Sequence, residues 1–471
     1  MTAFGFIFSV PFFRIDGIMA KILVINSPLF RDRNPLYDED SLPPIGLGLI
    51  ATALEERQHE VILIDAVAGN IPLLDLIKLT KEFDPDFIAI NVFTTNLILV
   101  REYVEYDFSK NIIFIIGGLS TRTLYESIFQ WDTENEINVV CGDGELITPD
   151  IVEYRVKEAP TAKVRNKKYY NINSDSEYYC QTIDNSRLNR AFFQNEPKKH
   201  PLGFIEANIV TSRGCIYNCS FCAAARSLNR DIPVREMSEH CIIRDLSEIK
   251  ELYPTVNSIR VLDDLFLKNA STIKKAITVF SEFNYKWRSM AHVMTFKNVS
   301  NEELMTLKHT GCAELFIGIE SGSPSVLRRI HKTHDVEIIK KNLSAVFEAG
   351  IAIKGYFIYG FPGETKADFN KTLELATFLK EKSMECNTSF RTSVFQFRPY
   401  HGTELYHEIV NTYNQFTQPL PIEANSDLSY LVGRLQFNFH SGNYSAEPVE
   451  VVHDYIYKTA NLTKIEQWGL S

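Results

Sequence analysis

The chain of 471 residues is 45% hydrophobic and 23% charged, the balance of a globular protein of two or three domains. A formal net charge of −10 argues against a broad nucleic-acid or anionic-membrane binder, and no apolar run reaches the length of a membrane span. The eight cysteines, five of them scattered, do not form a disulfide framework and point to a reducing, cytoplasmic setting.

Residues 1–19 are apolar and aromatic, but they have no basic n-region, contain Pro11 and lack a clear small-residue cleavage site. They read as an N-terminal extension ahead of Met19. Residues 20–150 alternate strand and helix signals. "KILVIN", "EVILIDA", "DFIAINVF", "NIIFIIGG" and "INVVCGDGE" are the strand candidates, and "PPIGLGLIATALEERQ" has helical spacing. Near-continuous apolar strands between helices predict a parallel sheet buried on both faces, a doubly wound, flavodoxin-like (Rossmann-type) domain. Residues 151–204, rich in Asn, Lys, Tyr and Ser, read as a polar linker.

Alternation resumes over residues 205–400 with "IEANIVTS", "SIRVLDD", "KWRSMAHV", "ELFIGIE", "AIKGYFIYG" and "TSVFQFRPY" as strands. "SNEE" at Ser300–Glu303 is a capping box, and "TKAD" at Thr365–Asp368 resembles one. Six βα units predict a (β/α)6 partial barrel, with its chemistry at the C-terminal strand ends. Residues 401–471 lose the rhythm and read as a small C-terminal cap segment.

After the first barrel strand comes "TSRGCIYNCSFCAAARS", with Cys215, Cys219 and Cys222. A structural zinc site takes four protein ligands, and no partner pair of matching spacing lies nearby. A four-iron cluster held by three thiolates keeps one iron open for a ligand. The pattern Cys-x3-Cys-x-Phe-Cys resembles that of the radical S-adenosylmethionine (SAM) superfamily. The resemblance implies that Cys215, Cys219 and Cys222 ligate a 4Fe–4S cluster whose open iron chelates SAM, with Phe221 near the adenine. It extends to "VLDDLF" (Asp263, Asp264), "FIGIESGS" (Glu320, Ser321, Gly322) and "GYFIYGFPGET" (Gly360, Pro362, Gly363), which are similar to the family's SAM-contacting segments. From the residues alone, Asp264 equally suits a helix N-cap, and the Pro-Gly pair suits a turn. "RPYHGTELY" resembles a family segment too, in which His401 either meets substrate or is structural.

The first domain resembles that of cobalamin-binding radical SAM enzymes in "PPIGLGLIATALEERQHEVILIDA", "IIGGLSTRT" and "VVCGDGE". Gly117 and Gly118 would let the corrin approach the backbone, and Thr94 and Thr95 would bond its nucleotide tail. The Asp-x-His-x-x-Gly motif is absent, so the resemblance implies a cobalamin without a histidine below the metal.

Together these features imply SAM cleavage to a 5′-deoxyadenosyl radical and C-methylation of a small molecule, with a one-electron reductant such as flavodoxin or ferredoxin as partner. A cobalamin-free rearrangement, dehydration or cyclisation is the enzymatic alternative, and a non-catalytic cobalamin or redox sensor is the alternative of another class. A tRNA methylthiolase is disfavoured by the acidic chain and by a first domain whose one cysteine is Cys141. Neither nucleic acid nor membrane is an expected partner.

Overall fold

The computed structural model describes residues 19–28, 42–118, 120–194, 196–199, 203–413, 423–424, 439–440 and 442–463. Residues 1–18 of the expected N-terminal extension, and most of the aromatic stretch in the expected cap segment, lie outside these. Among the described residues no helix is long and apolar enough to cross a membrane.

The first sheet is built on β1 (Lys21–Asn26), β2 (Glu60–Asp65), β3 (Phe87–Asn91), β4 (Ile113–Gly117) and β5 (Ile137–Cys141), in the order β2-β1-β3-β4-β5. These five strands are parallel, because each connection carries a helix that must return across a face. The helices are α1 (Ile45–Glu56), α2 (Leu73–Phe83), α3 (Leu97–Val104), α4 (Thr121–Phe129) and α5 (Ile147–Val152). Leu76, Val100 and Leu124 of α2, α3 and α4 fill a core on one face, and Leu49, Leu54 and Ile151 of α1 and α5 fill one on the other. The sheet is thus doubly wound, as its apolar strands require.

Part of the segment read as a linker joins this sheet. β6 (Ala162–Val164) and β7 (Lys167–Asn171) form a hairpin, with β7 running parallel to β5. Tyr169 and Tyr170 are the buried residues that make "KKYYN" a strand. The flanking lysines disguise it in composition, and the buried Lys167 donates to the carbonyl of Phe129 at 3.1 Å.

The second sheet contains β8 (Lys198–Lys199), β9 (Ile205–Ile209), β12 (Ser258–Val261), β13 (Lys286–Ala291), β14 (Cys312–Glu320), β15 (Ala352–Tyr359) and β16 (Phe390–Gln396). Its order is β16-β15-β14-β13-β12-β9-β8. Six strands are parallel and consecutive, giving a curled half-barrel, and β8 pairs antiparallel at one edge. A small hairpin of β10 (Ser212–Arg213) and β11 (Arg235–Glu236) brackets the three-cysteine loop. Helices α6 (Glu239–Leu252), α7 (Ala270–Ser281), α8 (Asn301–His309), α9 (Pro324–Arg329), α10 (Val336–Glu348) and α11 (Lys366–Glu385) connect the strands. After α12 (Glu404–Tyr413), the last helix, α13 (Val449–Asn461), packs on α11 and β16. Its Thr459 hydroxyl bonds the Tyr359 hydroxyl at 2.7 Å, so it belongs to the half-barrel's outer layer.

Candidate functional site at the domain junction

The three cysteines sit where the half-barrel opens. Asp263, just past β12, accepts from the Thr211 amide at 2.6 Å and from the Thr211 and Ser212 hydroxyls, each at 2.7 Å. Burial pushes its carboxyl up while these donors oppose the shift. Both oxygens are engaged by the chain, so Asp263 braces the end of β9. Asp264 accepts from the Gly214 amide at 2.9 Å, one residue before Cys215. It is not a helix N-cap, since Asn269 caps α7 through a capping box.

Cys215, Cys219 and Cys222 are free and half-buried. Their loop is folded on itself by the amides of Cys222, Ala225 and Arg226, which donate to Cys219, Cys222 and Tyr217 carbonyls at 2.8–3.1 Å. Burial pushes the Cys222 thiol up to about 12, so it stays protonated unless a metal replaces the proton. Among the described residues no three Cys, His, Asp or Glu side chains form a group placed to hold a metal ion. The ligands of a four-iron cluster each take their own iron, so they need not meet at one point.

Facing this loop is an ion pair that sequence patterns do not reveal. Lys332 is nine-tenths buried and donates to Glu320 Oε1 and to the Gly318 carbonyl, both at 2.9 Å. Burial opposes its charge, but Glu320 holds it up at about 12. Glu320 sits at φ +64° beside a register shift between β14 and β15, a left-handed conformation that costs about 1 kcal/mol or more for a non-glycine residue. His292 stacks on Tyr217 with ring centroids 3.7 Å apart, and burial drives its pKa down to about 3, leaving it neutral.

Ser321 and Gly322 turn away into packing. The Ser321 hydroxyl and the Gly322 amide bond Thr372 Oγ1 at 2.9 and 3.0 Å. A Cβ on Gly322 would lie 2.1 Å from the Lys371 carbonyl oxygen. Gly322→Ala is therefore expected to lower unfolding free energy by about 1–3 kcal/mol, read as a shifted denaturant midpoint.

At the end of β15, Gly360 (φ +91°) and Gly363 (φ +69°) take conformations that favour glycine. The turn is held by Glu364, whose Oε2 accepts from the Gly360 and Phe361 amides at 2.8 and 3.0 Å. Burial pushes Glu364 up to about 8, and its Oε1 has no partner among the described residues. The Pro362 carbonyl accepts from Arg329. Phe221 meets the ring of Phe361 edge-on, with centroids 5.6 Å apart.

The first sheet presents its carboxyl ends to the same place. Gly118 has φ +118°, and a Cβ there would lie 2.8 Å from the Val92 carbonyl oxygen. Gly117 and Gly118 line a cavity of about 540 Å³ that Val210, Leu262 and Asp264 of the half-barrel also line. A smaller pocket of about 220 Å³ is shared by Gly118, Cys215 and Asp264. Thr94 is buried and half-buried Thr95 follows it. The Thr94 hydroxyl meets His401 Nδ1 at 3.3 Å, which places His401 at the domain junction. Beneath them, Asn91 Oδ1 accepts from the Ser27 amide at 2.8 Å, and Asn91 Nδ2 donates to Asn26 at 2.7 Å.

The domains are clamped beside the cysteine loop. Arg213 pairs with Asp143 at 2.7 Å and Glu145 at 2.6 Å, and Arg235 pairs with the same Asp143. Burial works against the Asp143 carboxylate, yet Arg213 and Arg235 hold its pKa below the usual range. Both acids belong to "CGDGE", so the carboxylates were visible in sequence, but their arginine partners were not.

Comparison with known proteins agrees with this architecture. The family model described as the radical SAM superfamily matches residues 209–376, and that of the B12 binding domain matches residues 39–152. An uncharacterised methyltransferase of Pyrococcus horikoshii is 27% identical over 377 residues, covering 77% of this chain and 78% of that protein. The cobalamin-dependent SAM radical enzyme OxsB, solved with aqua-cobalamin, superposes with a TM-score of 0.66 at 15% identity. The match covers 91% of this chain and 65% of OxsB, so this chain spans just under two thirds of that protein. The radical SAM methyltransferase TsrM of Kitasatospora setae, solved with cobalamin and a [4Fe-4S] cluster, gives 0.59 at 14% identity, covering 94% of this chain and 91% of TsrM. The chain is an enzyme of the radical SAM superfamily, in the group that joins a B12-binding domain to the radical SAM domain, and the cofactors of these domains are a 4Fe–4S cluster, SAM and cobalamin.

Proposed function

We propose that the chain is a cobalamin-dependent C-methyltransferase acting on a small molecule, with Cys215, Cys219 and Cys222 as the cluster ligands. The observation that carries this reading is the shared space. Gly118 of the first sheet and Cys215 of the half-barrel line one pocket, and the larger cavity beside it also spans both domains. A first domain serving as scaffold alone has no need of such a cavity at its strand ends.

The residues present suit these groups. Three free thiols on one loop, with no fourth cysteine in that loop, match a cluster with one open corner. The cavity over Gly117 suits a bulky planar group, since a Cβ there would meet nothing nearer than 3.9 Å. When bound, the cluster and SAM supply a 5′-deoxyadenosyl radical and the cobalamin supplies a methyl group.

The chain's own groups bind and orient. Lys332 fixes Glu320 at the mouth, where its carboxylate would accept from a ribose or amino group of SAM. Asp264 fixes Gly214 and with it the first cysteine. Glu364 shapes the turn at Gly360–Gly363 for a nucleoside, and Phe221 with Phe361 gives an apolar wall against water. Thr94, Thr95, Gly117 and Gly118 would receive the corrin and its tail. A one-electron reductant of the flavodoxin or ferredoxin kind completes the system.

The test is the absorption spectrum of anaerobic protein produced with cobalamin supplied. Corrin is expected to stay bound through gel filtration. Gly117→Val, which fills open space without a backbone clash, is expected to weaken corrin binding about tenfold or more while keeping the iron content. Protein that carries the cluster and releases 5′-deoxyadenosine but retains no corrin would favour the cobalamin-free alternatives.

A further inference from the structure

Deep in the half-barrel, below the open mouth, charged side chains from all six parallel strands meet, including buried Lys354 of β15, whose ammonium lies 5.9 Å from the centre of the Phe316 ring. Glu206 of β9 accepts from Arg288 of β13 at 2.6 and 2.8 Å. Glu314 of β14 accepts from Arg391 of β16 at 2.6 and 2.8 Å and from Arg288 at 3.2 Å. Arg288 is fully buried, and each of its three nitrogens has a carboxylate partner. This is how a purely structural buried arginine is built.

Arg260 of β12 differs. It is 7% exposed, and its guanidinium lies 4.8 Å from the centre of the Phe316 ring, with the Arg288 guanidinium 5.4 Å from the same centre. No hydrogen bond or ion pair to Arg260 forms among the described residues; Glu206 and Glu314 act on it only through space. Burial and the nearby Arg288 both work against its charge. Its planar fork of donors thus has no protein partner in a largely buried setting. Arg260 lies two residues before Leu262, which lines the 540 Å³ cavity, so it sits about 7 Å deeper along the same strand.

We propose that Arg260 is the seat of an oxyanion carried by the substrate, a phosphate, phosphonate or carboxylate group that enters the half-barrel first and leaves the reacting carbon nearer the mouth. The inference rests on the proposed methyl transfer to a small molecule and takes the interior of the half-barrel as the place that molecule enters. A guanidinium binds such groups through two parallel N–H bonds, and the dry surroundings strengthen both. The Phe316 ring stabilises the guanidinium before the anion arrives.

The test uses the cluster-loaded chain and equilibrium dialysis of radiolabelled inorganic phosphate, with acetate as competitor. Wild-type protein is expected to bind phosphate saturably. Arg260→Gln is expected to bind at least about tenfold more weakly, and Arg260→Lys to retain part of the affinity. Displacement of phosphate by equimolar acetate assigns the seat to a carboxylate, and failure of acetate assigns it to a phosphate or phosphonate. The thermal midpoint of Arg260→Gln should be no lower than that of wild type, because an unpartnered buried charge has been removed. Equal phosphate binding in the two proteins, no saturable binding by either, or an unfolded Arg260→Gln would overturn the proposal. Substrate-free release of 5′-deoxyadenosine by the wild-type protein tests the proposed function separately; its absence would count against that function and leave the dialysis result standing.

Discussion

Replacing Cys219 by alanine is expected to abolish both cluster incorporation and SAM cleavage, while Cys180→Ala keeps both. The loop carries three cysteines and no fourth, so a cluster held by those three thiolates would have no spare ligand, and losing one would leave two irons without a protein donor. Changes behind the ligands of a metal site cost ~10–100-fold; removing a ligand itself should exceed that. Cys180 is an informative control because it is also half-buried and near the domain clamp, where its carbonyl accepts from Arg235 at 3.1 Å. Iron and sulfide content, together with 5′-deoxyadenosine released under reducing conditions, reads the result. Equal iron content in the two variants would refute the ligand assignment.

Most strands of the two sheets were legible because they are short, largely apolar and mostly buried runs, and such runs need no partner to be recognised. The capping boxes at Ser300–Glu303 and Thr365–Asp368 were legible for a similar reason, since their partners lie three residues apart. The β6–β7 hairpin was hidden because lysines flank its two buried tyrosines and its register depends on β5.

The site divides along the same line. Cys215, Cys219 and Cys222 are close in sequence, and their spacing carries the pattern. Lys332 could not be found, because it lies in the loop after α9 and what selects it is Glu320, twelve residues away at the end of β14. Nor could sequence separate Asp263 from Asp264. Both follow β12, and only the fold shows one engaged by Thr211 and Ser212 and the other reaching Gly214 and the cavities. Arg213 and Arg235 are ordinary residues until the first domain brings Asp143 to them.

Glu314→Gln is expected to cost about 3–5 kcal/mol of stability at neutral pH, the range for breaking a buried ion-pair network by removing one partner. Glu314 is 4% exposed and accepts three charged hydrogen bonds, so an amide would leave Arg391 and part of Arg288 facing a neutral group in a dry interior. Burial alone would raise its pKa, but the charges of Arg391 and Arg288 outweigh that and hold it far below the usual carboxylate range. A depressed folded pKa means the contribution is complete above the unfolded value of about 4.3 and fades as pH falls toward the folded one. The gap between wild type and Glu314→Gln should therefore be flat from about pH 6 to 8 and shrink only in strong acid. Denaturant titrations across that range read it, and a gap below about 1 kcal/mol at pH 7 would show that the network does not hold the half-barrel together. Adding Arg260→Gln to Glu314→Gln removes a positive charge from a chamber that has just lost a negative one. The double variant should regain at least about 0.5–1 kcal/mol over the single one, a coupling that contact through the Phe316 ring and the shared Arg288 makes possible.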